Sequence, residues 1–340
     1  MKIKKVNSDN LDSDFKYQRT NKRILIKEKH NKKEALVTAR VIIIISKSIF
    51  IETQSNNIYE ATLSGVIESK NLDSSIVAVG DYVDARISST HKGKSGYFTA
   101  LIVKIHNRKS VFSRKANGLV PYEQVIASNI TDLLVIVSVK SPKYNTRLLD
   151  RIIISGQLNG LKCGICINKT DLAETNDFEK DFDIYQSIGI PLFYISLLEN
   201  KNLINLLSYL NGKETVIIGQ SGVGKSTFIN ILFKEEIQKT KNISQLSDKG
   251  KHTTSFVRMF NYEDKFKIID TPGIREFGIW GLDKRDLTFY FPEFNQYQSQ
   301  CKYQPCTHTH EPGCKVVEAV ESNLITFARY QSYLNILETI

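Results

Sequence analysis

The order of three short motifs restricts the fold of this chain more than any other feature. NKTD at residues 168–171 comes first, GQSGVGKS at 219–226 follows, and DTPG at 270–273 comes last. Each motif follows a short apolar run that is typical of a buried strand, so we expect all three at the carboxyl ends of strands in one sheet. In most chains that carry all three motifs, NKxD comes last. The order found here predicts a circularly permuted domain.

The central motif fits G-x-x-x-x-G-K-[ST], the pattern of a phosphate-binding loop (P-loop). Its glycines let backbone N–H groups point at phosphate oxygens, while Lys225 would reach the outer phosphates and Ser226 would ligate Mg²⁺. A strand pattern at 215–218 precedes the loop and a helical pattern at 226–233 follows it. A helix N-terminus favours an anion, so this context indicates a nucleotide site rather than a glycine-rich turn.

The other two motifs predict which residues recognise the nucleotide base and which hold the metal ion. Asp171 would accept N–H bonds from guanine N1 and the 2-amino group, and adenine would leave this carboxylate unpaired. Asp270 can hold the metal through water, and the Gly273 N–H can meet a γ-phosphate. Either motif alone could be a polar turn. Together with the P-loop, they predict GTP rather than ATP as the ligand.

GKHTT at residues 250–254 lies in a polar stretch from about 239 to 255, a composition that suits a mobile loop. Thr253 or Thr254 could ligate Mg²⁺ in the GTP state. His252 is the only side chain in this loop that titrates near neutral pH. A solvated histidine without a catalytic role is the alternative interpretation.

A second cluster has the spacing of a metal site: Cys301-x4-Cys306-x-His308-x5-Cys314. Three thiolates and one imidazole form a usual ligand set for structural Zn²⁺. The segment contains prolines and a glycine, so metal binding would contribute much of its folding energy. We predict one structural zinc ion with no open coordination position. Cys163 and Cys166 are interpreted instead as small buried hydrophobes, because residues three apart on a strand point to opposite faces.

The remaining pattern divides the chain into a β-rich part and an α/β part. Five strands are predicted near residues 35–45, 48–54, 58–64, 82–88 and 97–105. Five short strands suit an OB-type barrel, which binds RNA through basic and aromatic side chains. Candidates for RNA contact are Arg40, Tyr82, Arg86, Lys92, Lys94, Tyr97 and Phe98, although most aromatic residues on strands belong to the core.

After a basic linker at 108–115, strands alternate with helices, which predicts a parallel sheet. Strands are expected at 132–138, 163–167, 192–196, 215–218 and 266–269, and helices near 146–156, 177–188, 201–210 and 226–233. Residues 316–337 have the pattern of terminal helices. The predicted domains are a basic tail at 1–33, an OB-fold RNA-binding domain at 34–107, a permuted GTPase domain at 108–290 and a zinc-binding domain with helices at 291–340.

The formal net charge is +10, and residues 1–33 contain 11 Lys or Arg against 4 Asp or Glu. This tail is expected to be disordered, and it either binds nucleic-acid phosphate or is a solvated extension without a role. The basic N-terminus lacks the apolar region of a signal peptide, and the longest apolar run, 41–45, is too short to span a membrane. We expect a cytoplasmic monomer without membrane contact.

The permuted motifs, GKHTT at 250–254, DTPGIREF at 270–277 and the Cys/His cluster resemble the bacterial RsgA (YjeQ) family of small ribosomal subunit biogenesis GTPases. The resemblance covers roughly residues 35–335. It implies an OB-fold, a permuted G domain and a zinc-binding domain. It also implies weak GTP hydrolysis that the small subunit stimulates late in its maturation, with the subunit and its rRNA as partners.

The resemblance also assigns roles to residues. Ile274 stands where many GTPases have a water-orienting Gln, as is usual in the family, which leaves His252 to position the water. The family spacing favours His308 over His310 as the fourth zinc ligand. Ser196 matches the guanine loop, although Leu197 and Leu198 follow it where the family usually has Ala.

The predicted site residues fall into three sets. GTP is assigned to Asn168, Lys169, Thr170, Asp171, Ser196, Gly219, Gln220, Ser221, Gly222, Val223, Gly224, Lys225, Ser226, Thr227, Asp270 and Gly273. Catalysis is assigned to His252, Lys225 and Thr254, with Mg²⁺ on Ser226 and Thr254. Zinc is assigned to Cys301, Cys306, His308 and Cys314. Two other functions remain open: an RNA-binding adaptor with nucleotide as a structural ligand, and a P-loop kinase for a small metabolite, which leaves NKTD unexplained.

Overall fold

The computed structural model describes residues 35–46, 48–68, 74–116, 121–174, 178–239 and 256–340. The predicted N-terminal tail at 1–33 and the GKHTT loop at 250–254, with His252 and Thr254, lie outside these residues. In the part of the chain that is described, no helix is both long enough and apolar enough to cross a membrane.

The N-terminal part is a closed barrel of five strands, as the sequence predicts. The strands are β1 (Ala35–Ile45), β2 (Ser48–Thr53), β3 (Ile58–Leu63), β4 (Tyr82–Lys92) and β5 (Phe98–Ile105), and a one-turn helix α1 (Gly65–Glu68) follows β3. The strand order is β1-β2-β3-β5-β4, and β4 pairs back onto β1. The pair β3–β5 is parallel and the other barrel pairs are antiparallel. Alternate residues such as Val83 and Ala85 are fully buried, which fills the barrel interior.

A hairpin of β6 (Val111–Lys115) and β7 (Glu123–Ser128) connects the barrel to the next unit. Residues 108–115 were predicted to be a basic linker, and this prediction was wrong for the residues that form β6. Phe112 and Ser113 of this strand are buried, Arg114 is partly buried and Lys115 is exposed. A short strand with charged residues at one end gives little periodic signal in the sequence.

The second unit is a mostly parallel sheet with helices on both faces. Its strands are β8 (Asp132–Ser138), β9 (Lys162–Asn168), β10 (Leu192–Tyr194), β11 (Glu214–Ile218), β12 (Phe256–Tyr262) and β13 (Phe266–Asp270). Its helices are α2 (Thr146–Leu158), α3 (Asp183–Ser187), α4 (Leu203–Leu210) and α5 (Lys225–Lys239). The order is β10-β9-β8-β11-β13-β12, in which only β12 runs antiparallel.

Two of these elements differ from the sequence prediction. Strand β12 was not predicted, and it pairs with both β13 and barrel strand β1, so that barrel and sheet form one continuous sheet of eleven strands. The helix predicted at 177–188 is shorter: a 3-10 turn (Glu179–Asp181) leads into the single α-helical turn of α3. Phe178, Phe182 and Tyr185 are buried there, so aromatic packing rather than helix length holds the segment.

The parallel sheet is buried on both faces. Leu133 and Val135 of β8 belong to one apolar cluster, and Leu134 belongs to the other. Cys163 and Cys166 of β9 divide between the clusters in the same way, which confirms that they face opposite sides. Burial raises the pKa of the Cys163 thiol to about 12, so this thiol is an apolar core group rather than a nucleophile.

The C-terminal unit is loop-rich. Two 3-10 turns (Lys284–Tyr290 and Pro292–Phe294) lead to α6 (Asn295–Gln298), α7 (Lys315–Glu321) and α8 (Phe327–Thr339). Phe291, Phe294 and Tyr333 form its aromatic core, with ring centroids 5.1 to 5.3 Å apart. Helix α8 packs against α2, so this unit rests on the parallel sheet unit.

Candidate functional site

The P-loop joins the end of β11 to the start of α5, where backbone N–H groups are free to bind an anion. Gly224 is required there: its φ is +107°, and a Cβ would lie 2.2 Å from Nδ2 of Asn168. Lys225 is buried, and its Nζ donates to the carbonyl oxygens of Gly219 and Gln220 at 2.7 and 3.0 Å. Burial lowers the pKa of Lys225, an effect that Asp270 partly offsets.

NKTD follows β9, the second strand from the P-loop strand. The Asn168 side chain is buried and bonds to the P-loop backbone at Val223. The Ser196 hydroxyl donates to Asp171 Oδ1 at 2.5 Å, and the Thr170 hydroxyl donates to the Ile195 carbonyl at 3.1 Å. Ser196 therefore orients the carboxylate that was assigned to guanine.

DTPG follows β13, which lies beside the P-loop strand β11. The Thr271 hydroxyl donates to the Ile217 carbonyl at 2.8 Å, which fixes the motif to β11. A Cβ on Gly273 would lie 3.0 Å from both the N and the Cα of Ser221, so a side chain there would force the P-loop backbone to shift. DTPG and the P-loop are thus in backbone contact.

The three motifs surround one open cavity of about 880 Å³. Most residues assigned to GTP line it: Asn168, Lys169, Asp171, Ser221, Gly222, Gly224, Lys225, Ser226, Thr227, Asp270 and Gly273. The other five residues assigned to GTP do not line this cavity. Thr170, Ser196 and Gly219 make the hydrogen bonds described above to residues of the site. Val223 is buried, and Gln220 lines a neighbouring cavity. The cavity matches the size of a ligand pocket.

The motifs do not predict the apolar wall of this cavity, which is formed by Leu172, Leu197, Leu198, Ile231 and Phe256. Leu198 is 84% exposed. Apolar residues such as these belong to no motif, and the only indication in the sequence was the pair of leucines after Ser196.

Asp270 has the properties of a metal-binding carboxylate. Burial raises its pKa to about 6, although Lys225 and the Thr271 backbone N–H both oppose that shift. Its Oδ1 is buried and accepts no hydrogen bond within the described residues. Ser226 lines the same cavity, so a carboxylate and a hydroxyl are available as the oxygen ligands that Mg²⁺ prefers.

Ile274, which follows DTPG, is buried, and its N–H donates to the Gly219 carbonyl at 3.2 Å. Its side chain packs in the apolar core and cannot orient water. His252 and Thr254 lie outside the described residues, and their predicted roles are not tested by these contacts.

Four thiol and imidazole ligand atoms meet in the C-terminal unit. One ligand atom from each of Cys301, Cys306, His308 and Cys314 lies within 4.8 Å of the other three. The Cys301 and Cys314 sulfurs are 3.9 Å apart, and Nδ1 of His308 is 3.3 Å from the Cys314 sulfur. A tetrahedral zinc ion with Zn–S bonds of about 2.3 Å would separate two sulfurs by about 3.8 Å. The donor set and its spacing therefore fit a closed metal site.

The loop around this cluster is held by hydrogen bonds to its backbone. The hydroxyls of Tyr330 and Tyr333 on α8 donate to the carbonyl oxygens of His308 and Thr307 at 2.7 and 2.8 Å. His308 is buried, whereas His310 is exposed and lies outside the cluster, as predicted. Such partners keep a metal ligand oriented.

The barrel candidates for RNA contact divide into exposed and buried residues. Arg40 is 7% exposed, and its guanidinium donates to Glu214 of β11 at 2.7 Å. The prediction that Arg40 contacts RNA was wrong, because an interdomain ion pair uses the side chain. Tyr97 packs edge-on against Phe50 in the barrel core, with ring centroids 6.0 Å apart. The candidates on the barrel surface are Tyr82, Arg86, Lys92, Lys94 and Phe98.

Comparison with known proteins identifies the family. The family model described as RsgA GTPase matches residues 105–280, which contain all three nucleotide motifs. The chain belongs to the RsgA GTPase family. Membership makes it a GTP hydrolase, which favours an enzyme over the adaptor and over a small-metabolite kinase.

Individual relatives agree with the family assignment. The small ribosomal subunit biogenesis GTPase RsgA of Phocaeicola vulgatus is 37% identical over 292 residues, 85% of this chain and 92% of the relative. YjeQ from Thermotoga maritima has a TM-score of 0.63 at 24% identity, covering 89% of this chain and 98% of that chain. YloQ, described as a circularly permuted GTPase, has a TM-score of 0.60 at 23% identity, covering 91% and 96%. Both structures support the permuted fold.

Proposed function

We propose that this RsgA-family chain binds GTP with Mg²⁺ in the cavity between NKTD, the P-loop and DTPG, and that hydrolysis switches its interaction with the small ribosomal subunit. The observation that supports the site most is the convergence of the three motifs on one cavity. The partner follows from the relatives, which are named small ribosomal subunit biogenesis GTPases. GTP would favour the subunit-bound state, and hydrolysis would release it.

Each part of the nucleotide has a residue in this proposal. Asp171, oriented by Ser196, reads guanine, while Lys225 and the P-loop N–H groups neutralise the phosphates. Ser226 and Asp270 hold Mg²⁺, with Thr254 as a further ligand. Mg²⁺ supplies charge neutralisation between the outer phosphates when it is bound. Because Ile274 is buried and aliphatic, His252 is proposed to position the attacking water.

The metal of the C-terminal cluster is proposed to be a single structural Zn²⁺ on Cys301, Cys306, His308 and Cys314. We assign the chain as a cytoplasmic monomer made of a basic tail at 1–33, an RNA-binding barrel at 34–107, a GTPase domain at 108–290 and a zinc domain at 291–340. The exposed barrel residues Tyr82, Arg86 and Phe98 offer the basic and aromatic side chains that rRNA binding uses.

The test is GTP hydrolysis by the full chain with and without purified small ribosomal subunits, at a stated salt concentration. Strong stimulation by small subunits, with none by large subunits, supports both the partner and the switch. A slow rate that neither subunit changes would contradict the proposed partner.

The same assay tests the water-positioning residue. His252→Ala should lower the stimulated rate by about 10²-fold or more, while GTP affinity stays the same. His310→Ala, a change of an exposed histidine outside the metal cluster, is the matched control. An unchanged rate for His252→Ala would remove this residue from the mechanism.

A further inference from the structure

A basic cleft of about 390 Å³ lies where four parts of the chain meet: the β6–β7 hairpin, helix α2, the segment after Gly273 and the end of α8. Its charged lining residues are Arg114, Lys115, Arg147, Arg151, Arg275 and Glu276. Five cationic side chains therefore face a single carboxylate, in a cleft that is separate from the nucleotide cavity and from the cysteine cluster.

The two arginines of α2 are held by neutral acceptors from the C-terminal helix. Arg147 Nη2 donates to Gln331 Oε1 at 2.6 Å. Arg151 donates from Nη1 to the Thr339 hydroxyl at 2.8 Å and from Nη2 to the Asn335 carbonyl at 2.7 Å. Burial lowers the pKa of Arg151, and no neighbouring carboxylate offsets this. These bonds orient the guanidinium groups but leave their charge uncompensated.

The hairpin and the segment after Gly273 supply the other cations. Arg114 Nε donates to Gln124 Oε1 at 2.9 Å, again to a neutral group. Lys115 and Arg275 are exposed on the cleft. None of the five cations forms an ion pair within the described residues, including one with Glu276.

This arrangement differs from that of other poorly exposed arginines among the described residues, such as Arg40 and Arg108, which pair with carboxylates. Arg40 is bound by both oxygens of Glu214, and Arg108 donates to both oxygens of Asp81. Like charges that are close together and unpaired raise the free energy of the folded state. A cluster held in place by neutral hydrogen bonds is suited to an anion that comes from outside the chain.

The cleft is also close to the nucleotide site along the chain. Arg275 is two residues after Gly273, and between them the Ile274 N–H bonds to the P-loop at Gly219. On the other side, Phe277 stacks on Phe112 of β6 with ring centroids 5.5 Å apart. Arg275 thus lies between one anchor on the P-loop and one on the hairpin. An anion bound to Arg275 would contact the segment that follows Gly273, the residue assigned to the γ-phosphate.

We propose that this cleft binds the phosphate groups of an RNA backbone. The proposal rests on the proposed function for the identity of the RNA, which would be rRNA of the small subunit. The open, exposed side at Lys115, Arg147 and Arg275 lets a continuous strand pass, which a closed pocket for a free polyphosphate would not need. An arginine guanidinium group can donate two parallel hydrogen bonds to two oxygens of one phosphate. Each phosphate contact also makes binding more sensitive to salt concentration.

The test uses the full chain with the double substitution Lys115→Gln and Arg275→Gln, which removes two exposed charges and no hydrogen bond that holds α8. Lys162→Gln is the control, because Lys162 is exposed at the start of β9 and outside the cleft. A fluorescent single-stranded RNA oligonucleotide is titrated over a range of salt concentrations. The double variant should bind about tenfold more weakly, with a salt slope smaller by about 1.4, and Lys162→Gln should match the wild type.

Equal RNA affinity and equal salt slope in the double variant and in Lys162→Gln would overturn the proposal. Inorganic tripolyphosphate is titrated in parallel, with the nucleotide cavity saturated with GDP so that only binding outside the P-loop is measured. If the double variant loses tripolyphosphate binding but keeps RNA binding, the cleft is a site for a free anion and the RNA proposal is wrong.

Subunit-stimulated GTP hydrolysis, measured on the same proteins, separates this proposal from the proposed function. A wild-type protein that small subunits do not stimulate contradicts the proposed function, while the RNA titration still decides the cleft. A wild-type protein that is stimulated, together with a double variant that binds RNA normally, contradicts the cleft alone.

Discussion

The Asn168 side chain joins two motifs that lie far apart in the sequence. Its Nδ2 donates to the Val223 carbonyl oxygen of the P-loop at 2.8 Å, and its Oδ1 accepts from the Leu197 N–H at 3.2 Å. Asn168 is 3% exposed, so water does not compete for these bonds. One carboxamide therefore sets the position of the guanine loop relative to the phosphate loop, although permutation has reversed their order in the chain.

Asn168→Ala should weaken GDP and GTP binding by about tenfold or more, because two buried hydrogen bonds are lost and their backbone partners are left unpaired. Isothermal titration calorimetry measures the affinity. Asn261→Ala, which removes an exposed amide bonded to Asp264, is the control. Equal affinities for the two variants would show that the guanine loop does not depend on this bond.

Asp171→Asn should change the preference of the site from guanine to xanthine. The carboxamide N–H would face the 2-amino group of guanine, which also donates, whereas xanthine has an accepting carbonyl oxygen at that position. We expect GTP affinity to fall by about 10²-fold and xanthosine triphosphate affinity to rise. Ser196→Ala, which removes the hydroxyl that orients Asp171, should lower GTP affinity without changing base preference. Competition binding with both nucleotides measures this, and retained GTP preference in Asp171→Asn would refute the role of Asp171.

Asp270 should make Mg²⁺ binding depend on pH. Burial raises its pKa to about 6 from an ordinary value of 3.8, so below pH 6 most Asp270 side chains hold a proton that Mg²⁺ must displace. Below pH 6, Mg²⁺ affinity should fall by about tenfold per pH unit, and above pH 7 it should be constant. The same pKa shift affects the stability of the fold. Because the folded state binds the Asp270 proton more tightly than the unfolded state, the shift stabilises the folded state at low pH, and this stabilisation is lost as pH rises through 6.

The measurement is Mg²⁺ titration of the GDP complex between pH 5 and 8 (on the order of three pH units around the pKa). Asp270→Asn cannot ionise, so it should bind Mg²⁺ weakly at every pH without that slope. A wild-type slope that persists in Asp270→Asn would mean that another group, such as the nucleotide phosphate, carries the pH dependence.

Removal of one zinc ligand should release the metal and loosen the C-terminal unit. Cys301→Ser is expected to lower bound zinc from one ion per chain to nearly none, because a serine hydroxyl is a much poorer zinc ligand than a thiolate and only three of the four ligands remain. Elemental analysis and thermal unfolding measure both effects. Cys163→Ala, a buried thiol in the parallel sheet, should keep its zinc. A full complement of zinc in Cys301→Ser would exclude this cluster as the metal site.

Much of the fold could be predicted because the motifs constrain it. A P-loop requires a strand before it and a helix after it, so β11 and α5 follow from the sequence alone. Alternating apolar residues predict the five barrel strands, and the spacing of the cysteines predicts the cluster at 301–314. Each of these features depends on residues close together in the sequence.

The features that were missed depend on long-range contacts. Strand β12 pairs with β1 of the barrel in addition to β13, and no local sequence pattern predicts this pairing. A basic residue on a barrel strand, Arg40 was a candidate for RNA contact. Its ion pair with Glu214 joins the barrel to the parallel sheet, and the two residues are far apart in the sequence. The basic cleft draws its residues from four separate parts of the chain. Local periodicity and motif spacing carry no information about such pairings.

Arg329 of α8 should be essential for attachment of the C-terminal unit. Its buried guanidinium donates to Asp150 of α2 and, at 2.7 Å, to Glu293, and it lies 4.4 Å from the centroid of the Phe291 ring. Arg329→Met keeps the apolar volume but leaves the buried Asp150 carboxylate and the partly buried Glu293 carboxylate without their cation. Removal of one partner from a buried pair costs about 3–5 kcal/mol in the free energy of unfolding.

Urea unfolding followed by circular dichroism measures this loss, and Arg285→Met, at an exposed arginine on the same unit, should leave the stability unchanged. The decisive comparison is a triple variant that combines Arg329→Met with Asp150→Asn and Glu293→Gln. Because neutral amides need no cation, this variant should regain most of the stability that Arg329→Met loses. If it is as unstable as Arg329→Met, then packing against Phe291 rather than charge compensation holds α8 on α2.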